Sequence, residues 1–480
     1  VSSVKKIVFI IIVLIIAVQI MPINILASSH YVLDTKDPKI KVPLPLTYEV
    51  KRVISEISDE ISLTNGPEDL FIDNNNMLYV VDTGNNRIVK MDREGMLIGI
   101  FKGPEGKELV NPKGIYVDTD GDMYIADTGN YRILHLSPEG DFVEEFSKPN
   151  TELIGETFTF DPEKISIDSI GNIYIIKGYT LAILDAYNNF RGFKMSEKLA
   201  FNFTEALVNL FASREQKERV ARRAPSPYSN FVIDNRGMIY ATAINTYQRQ
   251  IQKINSVGNN IYPSKAYGEM IIDERGLART PYFVDLSVDK NGIISAIEQQ
   301  SGKIYQYDQE GNLLTVFGGK GYWKGSFALP SSITVDDEGN IYVLDRTLNN
   351  IQVLEPTLFM RLIHEASMEY EEGRYQESLE LWEQVLRINE NYQLAHKGKA
   401  KALAKQERWK EAMKEYSAAD DQEGYSNAFS EYRYYLFRQY FGWILLIIIL
   451  INVAIYNIIK FSKKIINNMV DGFIYGKGLK

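Results

Sequence analysis

The chain has 480 residues, 45% of them hydrophobic and 24% charged, with a net charge of -9. At roughly 100 to 200 residues per domain this is a multi-domain folded protein, which excludes disorder as the main state. The acidic balance argues against a chain that grips nucleic-acid backbones, and the absence of Cys excludes disulfides, thiolate-bound zinc and cysteine nucleophiles together.

In chain order, Lys5 and Lys6 precede an unbroken apolar run from Ile7 to Val18, followed by Gln19, Pro22 and the small residues Ala27, Ser28 and Ser29. This layout predicts an export segment over 1–27, either cleaved after Ala27 or retained as a signal anchor. From Leu63 to Pro356 apolar residues alternate with a period of two, reset six times at Asp73, Asp118, Asp168, Asp234, Asp289 and Asp336. Three residues after each Asp stands a turn residue: Asn76 in the first copy and Gly121, Gly171, Gly237, Gly292 and Gly339 in the others. Six residues after it stand Tyr79, Tyr124, Tyr174, Tyr240, Ser295 and Tyr342, each opening a second strand. Every copy therefore predicts a four-stranded meander with a tight first turn. Copies of this size cannot bury both sheet faces alone and are best satisfied by radial packing as blades.

Between the third and fourth copies, Leu199, Phe203, Leu207, Leu210 and Phe211 fall at helical spacing, which predicts a helical insertion over 197–223. The sixth copy ends near Leu354 without a fourth strand. The alternating stretch Tyr48 to Ile57 is expected to supply it and remove an exposed edge, so that this domain spans 45–356. After Pro356 the period becomes 3.6. Gly373 and Glu407, Tyr375 and Trp409, Ser378 and Ala412, and Trp382 and Tyr416 align at a spacing of 34, which predicts a helical repeat module over 357–438. A third helix is expected from Tyr425 toward Phe437, leading into the apolar run that follows. Phe441 to Ile459 then carries no charge, and at about 1.5 Å per residue these residues reach roughly 28 Å, the thickness of a bilayer core. Lys460, Lys463 and Lys464 follow, so the expected topology is a transmembrane helix over 441–459, a cytoplasmic tail over 460–480 and an extracytoplasmic bulk.

Asp82-Thr83-Gly84-Asn85-Asn86-Arg87-Ile88 and Asp127-Thr128-Gly129-Asn130-Tyr131-Arg132-Ile133 resemble the signature of NHL repeats; Asp345 to Ile351 keeps half of it. The 34-residue module resembles tetratricopeptide repeats, with Ala400, Ala412, Tyr416 and Ala419 at the packing positions. These resemblances imply a mainly β chain: a six-bladed β-propeller, then an α-helical repeat module and a transmembrane helix. They also imply that Asp82, Arg87, Asp127 and Arg132 are structural, tying the loop between strands two and three.

A ligand face is expected where the loops before the first strands (Glu68, Asn111, Lys113, Asp161, Glu163, Asn230, Asp285) meet the loops between strands two and three (Tyr131, Tyr179, Tyr247, Asn349). A zinc centre would need several His ligands, and His135 stands alone in this region. Similarity to gluconolactonase-like propellers suggests calcium or another divalent ion held by Glu, Asn and Asp oxygens. Here the acidic residue that family places before Gly-Pro is Asn65, in Asn65-Gly66-Pro67. The sequence therefore favours a membrane-anchored binding or scaffold protein without a cofactor. Its expected partners are the membrane and a protein or glycan, such as a transport or cell-envelope assembly, and not nucleic acid. A divalent-metal lactonase or hydrolase is the alternative.

Overall fold

A computed structural model describes residues 30–475 apart from 35–36, 59–60, 63–64, 152–157, 179, 194–226, 245 and 273–274. The expected export segment, the helical insertion over 197–223, Tyr179 and the last five residues of the tail lie outside the described residues.

Six antiparallel sheets form a β-propeller. Blades 1, 2 and 3 are four-stranded meanders that open with Asp69–Ile72, Gly114–Val117 and Lys164–Ile167. Blade 6 opens with Pro330–Val335 and closes as the alternation predicts. Tyr48–Ile54 pairs antiparallel with Asn350–Pro356, from Ile351 opposite Ile54 to Pro356 opposite Tyr48, and joins the two ends of the domain without a free edge. Between blades the side chains interdigitate in aliphatic and aromatic layers. Tyr79, Val81 and Ile88 of blade 1, for example, pack with Ile115, Ile125 and Leu134 of blade 2.

Blades 4 and 5 depart from the expected meander. Blade 4, which opens with Tyr228–Ile233, has three strands; its fourth position is taken by residues 259–262, joined to the sheet at Ile254 and Asn260. The Asn260 side-chain carbonyl accepts the Lys253 and Tyr262 amides at 3.1 Å, standing in for a strand's backbone, and Pro263 beyond it has no amide to extend the ladder. Blade 5, which opens with Phe283–Val288, gains two strands upstream of residue 45: Tyr31–Leu33 pairs with Leu313–Gly318 and with Lys41–Pro43. Glu269 fastens this addition, accepting a hydrogen bond from the Tyr31 hydroxyl at 2.8 Å and pairing with Lys41 and Lys303. Strands of three residues carry too little periodicity to stand out in a sequence.

Helix α1 (Leu358–Glu371) follows blade 6 directly. Its buried His364 donates Nε2–H to Gln306 of blade 5 at 3.3 Å, and burial pushes the imidazole down to about 4. From residue 369 onward the chain forms a second compact unit. Here α2 (Tyr375–Ile388), α3 (Gln393–Lys405) and α4 (Trp409–Ala418) repeat at the expected spacing, with Gly373 and Glu407 both at positive φ before α2 and α4. Helices α2 and α3 approach so closely that a Cβ on Gly398 would lie 2.4 Å from the Trp382 ring. The third helix leads into the apolar run without a break. A single helix, α5, runs from Gln422 to Tyr475, and its most apolar stretch has a mean hydropathy of 2.4 with none of it buried. That is the length and composition of a membrane span.

Candidate functional site: a polar ring on the propeller axis

The repeated Asp builds the same local structure in all six blades. Its Oδ1 accepts the amides two and four residues on, as in Asp73 with Asn75 and Met77, both at 2.8 Å, and Asp336 with Glu338 and Asn340 at 3.0 and 2.8 Å. In blades 1, 3, 4 and 6 the Tyr six residues on donates its hydroxyl to the other carboxylate oxygen, at 3.2 Å in Tyr79, Tyr174 and Tyr342. Blade 5 has Ser295 instead of Tyr. There burial pushes the Asp289 carboxyl up to about 6, against the pull of the amides of Ile293 and Asn291.

Four residues before each repeated Asp, where the innermost strands begin, stand Asp69, Gly114, Lys164, Asn230, Asp285 and Ser332. These six equivalent positions converge on the axis. Lys164 Nζ lies 2.5 Å from Asp69 Oδ1, the Ser332 hydroxyl lies 3.1 Å from the same oxygen and donates to Asp285 Oδ2 at 2.5 Å, and Asn230 Nδ2 donates to Asp285 Oδ1. Backbone amides add further bonds: Ile115 N–H on Asp69 Oδ2 at 3.2 Å, Ile333 N–H on Asp285 Oδ2 at 2.8 Å and Leu286 N–H on Asp285 Oδ1 at 2.7 Å. Blade 2 contributes no side chain because none fits. A Cβ on Gly114 would lie 2.6 Å from the Glu163 carbonyl oxygen and 3.1 Å from Lys164 Cα.

The electrostatics follow from two buried carboxylates and one buried ammonium. Burial opposes charge on Lys164, yet Asp69 and Asp285 beside it hold its ammonium above its usual range. Burial pushes the Asp285 carboxyl up to about 6, with Lys164 pulling it down and Asp69 pushing it further up. From this ring a cavity of about 800 Å³ runs along the innermost strands toward Asn74, Thr119, Ser169 and Asn235 in the turns at the other end. The ring gathers oxygen donors suited to a hard cation, but Lys164 supplies the positive charge among them, so the arrangement does not fit a divalent ion. Among the described residues, no group of three or more His, Asp or Glu side chains is disposed to hold a metal.

Of the residues expected on the ligand face, Asn230 and Asp285 are brought together in the ring. The other carboxylates are held apart by cations: Glu68 pairs with Arg346 at 2.8 Å, Glu163 with Lys113 at 2.8 Å and Asp161 with Lys177 at 3.0 Å. Asn111, Tyr131 and Asn349 are left-handed turn residues, and the Asn111 amide donates to Asn86 Oδ1 at 2.7 Å. Tyr131 and Tyr247 present their rings to solvent, as do Tyr322 and Trp323 in the loop between blades 5 and 6. Asp82 and Asp127 are fully buried loop anchors, bound by Arg87 Nε at 2.6 Å and Arg132 Nε at 2.8 Å. The glycines of that signature are steric: a Cβ on Gly84 or Gly129 would lie 2.0 Å from the Asn65 carbonyl oxygen or 2.5 Å from that of Val110. Sequence reasoning missed Asp69, Lys164 and Ser332. Their signal was an unlike set of mostly polar residues at one register position, in strands otherwise apolar and repetitive.

No protein family and no curated protein matches the chain in sequence. Among solved structures, a streptogramin B lyase is 14% identical, with 65% of this chain and 98% of that one covered and a TM-score of 0.40. A virginiamycin B lyase from Staphylococcus aureus is 12% identical, with 64% and 99% covered and a TM-score of 0.38. An auxiliary nutrient binding protein from Bacteroides thetaiotaomicron is 12% identical, with 68% and 76% covered and a TM-score of 0.43. These similarities carry no chemistry over to this chain.

Proposed function

We propose that the chain is a membrane-anchored, extracytoplasmic recognition protein. The propeller acts as a binding head, the helical repeats as a neck, and α5 as the anchor, with its lysine-flanked end in the cytoplasm. The observation that carries this reading is the axial ring. A group that would bind a catalytic cation is instead closed by Lys164, and the neighbouring loop carboxylates are spent on Lys113, Lys177 and Arg346. What the loop face offers a partner is exposed aromatic surface at Tyr131, Tyr247, Tyr322 and Trp323, a residue type suited to protein or sugar contacts.

The test uses the full chain in lipid nanodiscs as bait for detergent-solubilised cell-envelope proteins and for envelope glycans. A defined ligand captured by the wild type and lost with Tyr131→Ala and Tyr247→Ala together supports the reading. Calcium-dependent lactone hydrolysis that is abolished by Asp285→Asn would instead establish the metal-dependent hydrolase.

A further inference from the structure

We infer that α5 pairs in parallel with the α5 of a second copy of this chain, through a seam that crosses the membrane and continues beyond it. The inference rests on reading α5 as a membrane span. Asn452 stands in the middle of the uncharged run. Its Nδ2 donates to the Ile448 carbonyl at 2.8 Å, and among the described residues its amide oxygen accepts no hydrogen bond. In hydrocarbon no water can satisfy that oxygen, so a carboxamide there favours a partner helix carrying a donor at the same depth. A second copy inserted with the same topology meets this condition, because two facing amides each donate and accept.

A second observation is consistent with the same face. Leu445, Ile448, Asn452, Ile455 and Ile459 recur at alternating spacings of three and four, the register of a left-handed helix pair, and all are exposed. Within the span other registers are equally apolar, and the second carboxamide of the run, Asn457, lies off this one, two residues from the end of the run. Beyond Ile459 this register remains free of charge. The same register continues through Ser462 to Ile466 and Met469, whereas Lys460, Lys464, Asn467, Asn468 and Asp471 lie off it. Ile466 and Met469 are exposed on a stretch flanked by charged residues, where covering apolar surface is favourable. The face marked by the orphan amide inside the membrane thus runs into the apolar face of the segment outside it. A single polar residue in a core position of such a seam also fixes register and favours two strands.

Because the chain has no Cys, single-cysteine variants of the full chain in native membranes report contacts directly. Under mild oxidation, Ile448→Cys and Ile455→Cys should form disulfide-linked dimers, whereas Leu450→Cys, on the opposite side of the helix, should give several-fold less. Adding Asn452→Leu to Ile455→Cys should lower the dimer yield about three- to tenfold. Alkaline extraction of the same membranes, after proteolysis between the propeller and α5 and following the C-terminal fragment, tests the span without residues 1–27. If that fragment resists extraction but the chain cross-links equally at all three positions, at none, or independently of Asn452, the pairing is wrong and the span stands. Release of the fragment by alkali overturns both.

Discussion

Two rings circle the propeller axis at opposite ends of the innermost strands, and they follow different rules. At one end six identical Asp residues each close their own turn, and none depends on another blade. At the other end six equivalent positions hold five residue types, and their contacts run between blades: Asp69 to Lys164, Ser332 to Asp285, Asn230 to Asp285. Repetition marks what each blade needs in order to fold. Departure from repetition at a single register position marks what the blades do together.

That contrast makes the axial ring the more sensitive of the two. Lys164→Met should have the largest effect, since it leaves two buried carboxylates without their counter-ion; about 3 to 5 kcal/mol is expected in denaturant unfolding of the propeller. If the loss matches that of Asp118→Ala, which opens one local turn, the two ends do not differ as described. Gly129→Ala should cost about 1 to 3 kcal/mol by forcing a methyl group against the Val110 carbonyl.

The next effect is a pH dependence. The Asp285 carboxyl, raised to about 6 in the folded chain, contributes stability that is full below its unfolded pKa and is lost as pH rises through about 6. Burial holds His30 and His364 down to about 4, which acts oppositely: the unfolded chain takes up protons below about 6.5 that the folded chain refuses, so stability falls with acid. Asp285→Asn removes only the first contribution. Between pH 7 and pH 5 it should therefore lose more stability than the wild type does, by on the order of 1 kcal/mol in paired denaturant titrations. An unchanged slope would place the Asp285 carboxyl outside that window. Smallest of all, Lys113→Ala and Tyr131→Ala should each shift stability by less than about 1 kcal/mol, because one breaks a partly exposed ion pair and the other trims an exposed ring.

The sequence exposed most of the architecture because its signals were periodic. The Asp-turn-Tyr spacing, the closing strand Tyr48–Ile54 and the 34-residue helical offset all appear where the pattern places them. Of the axial ring only Asn230 and Asp285 were picked out, and for a different reason, since carboxylates and amides near loops attract attention as ligands. Lys164 carries no such signal, because a lone lysine at the start of a strand is usually a solvated end. Only the fold brings it to Asp69, 95 residues away. The added strands Tyr31–Leu33 and Lys41–Pro43 were invisible because tertiary pairing, and no local period, makes them strands.

The decisive measurement is the thermal unfolding of the full-length protein and of Lys164→Met, each titrated with calcium to millimolar concentration. If the lysine ammonium is the cation of the axis, the wild-type midpoint does not move with calcium and the variant melts well below it. A wild-type midpoint that climbs with calcium and is little affected by removing Lys164 would contradict the account.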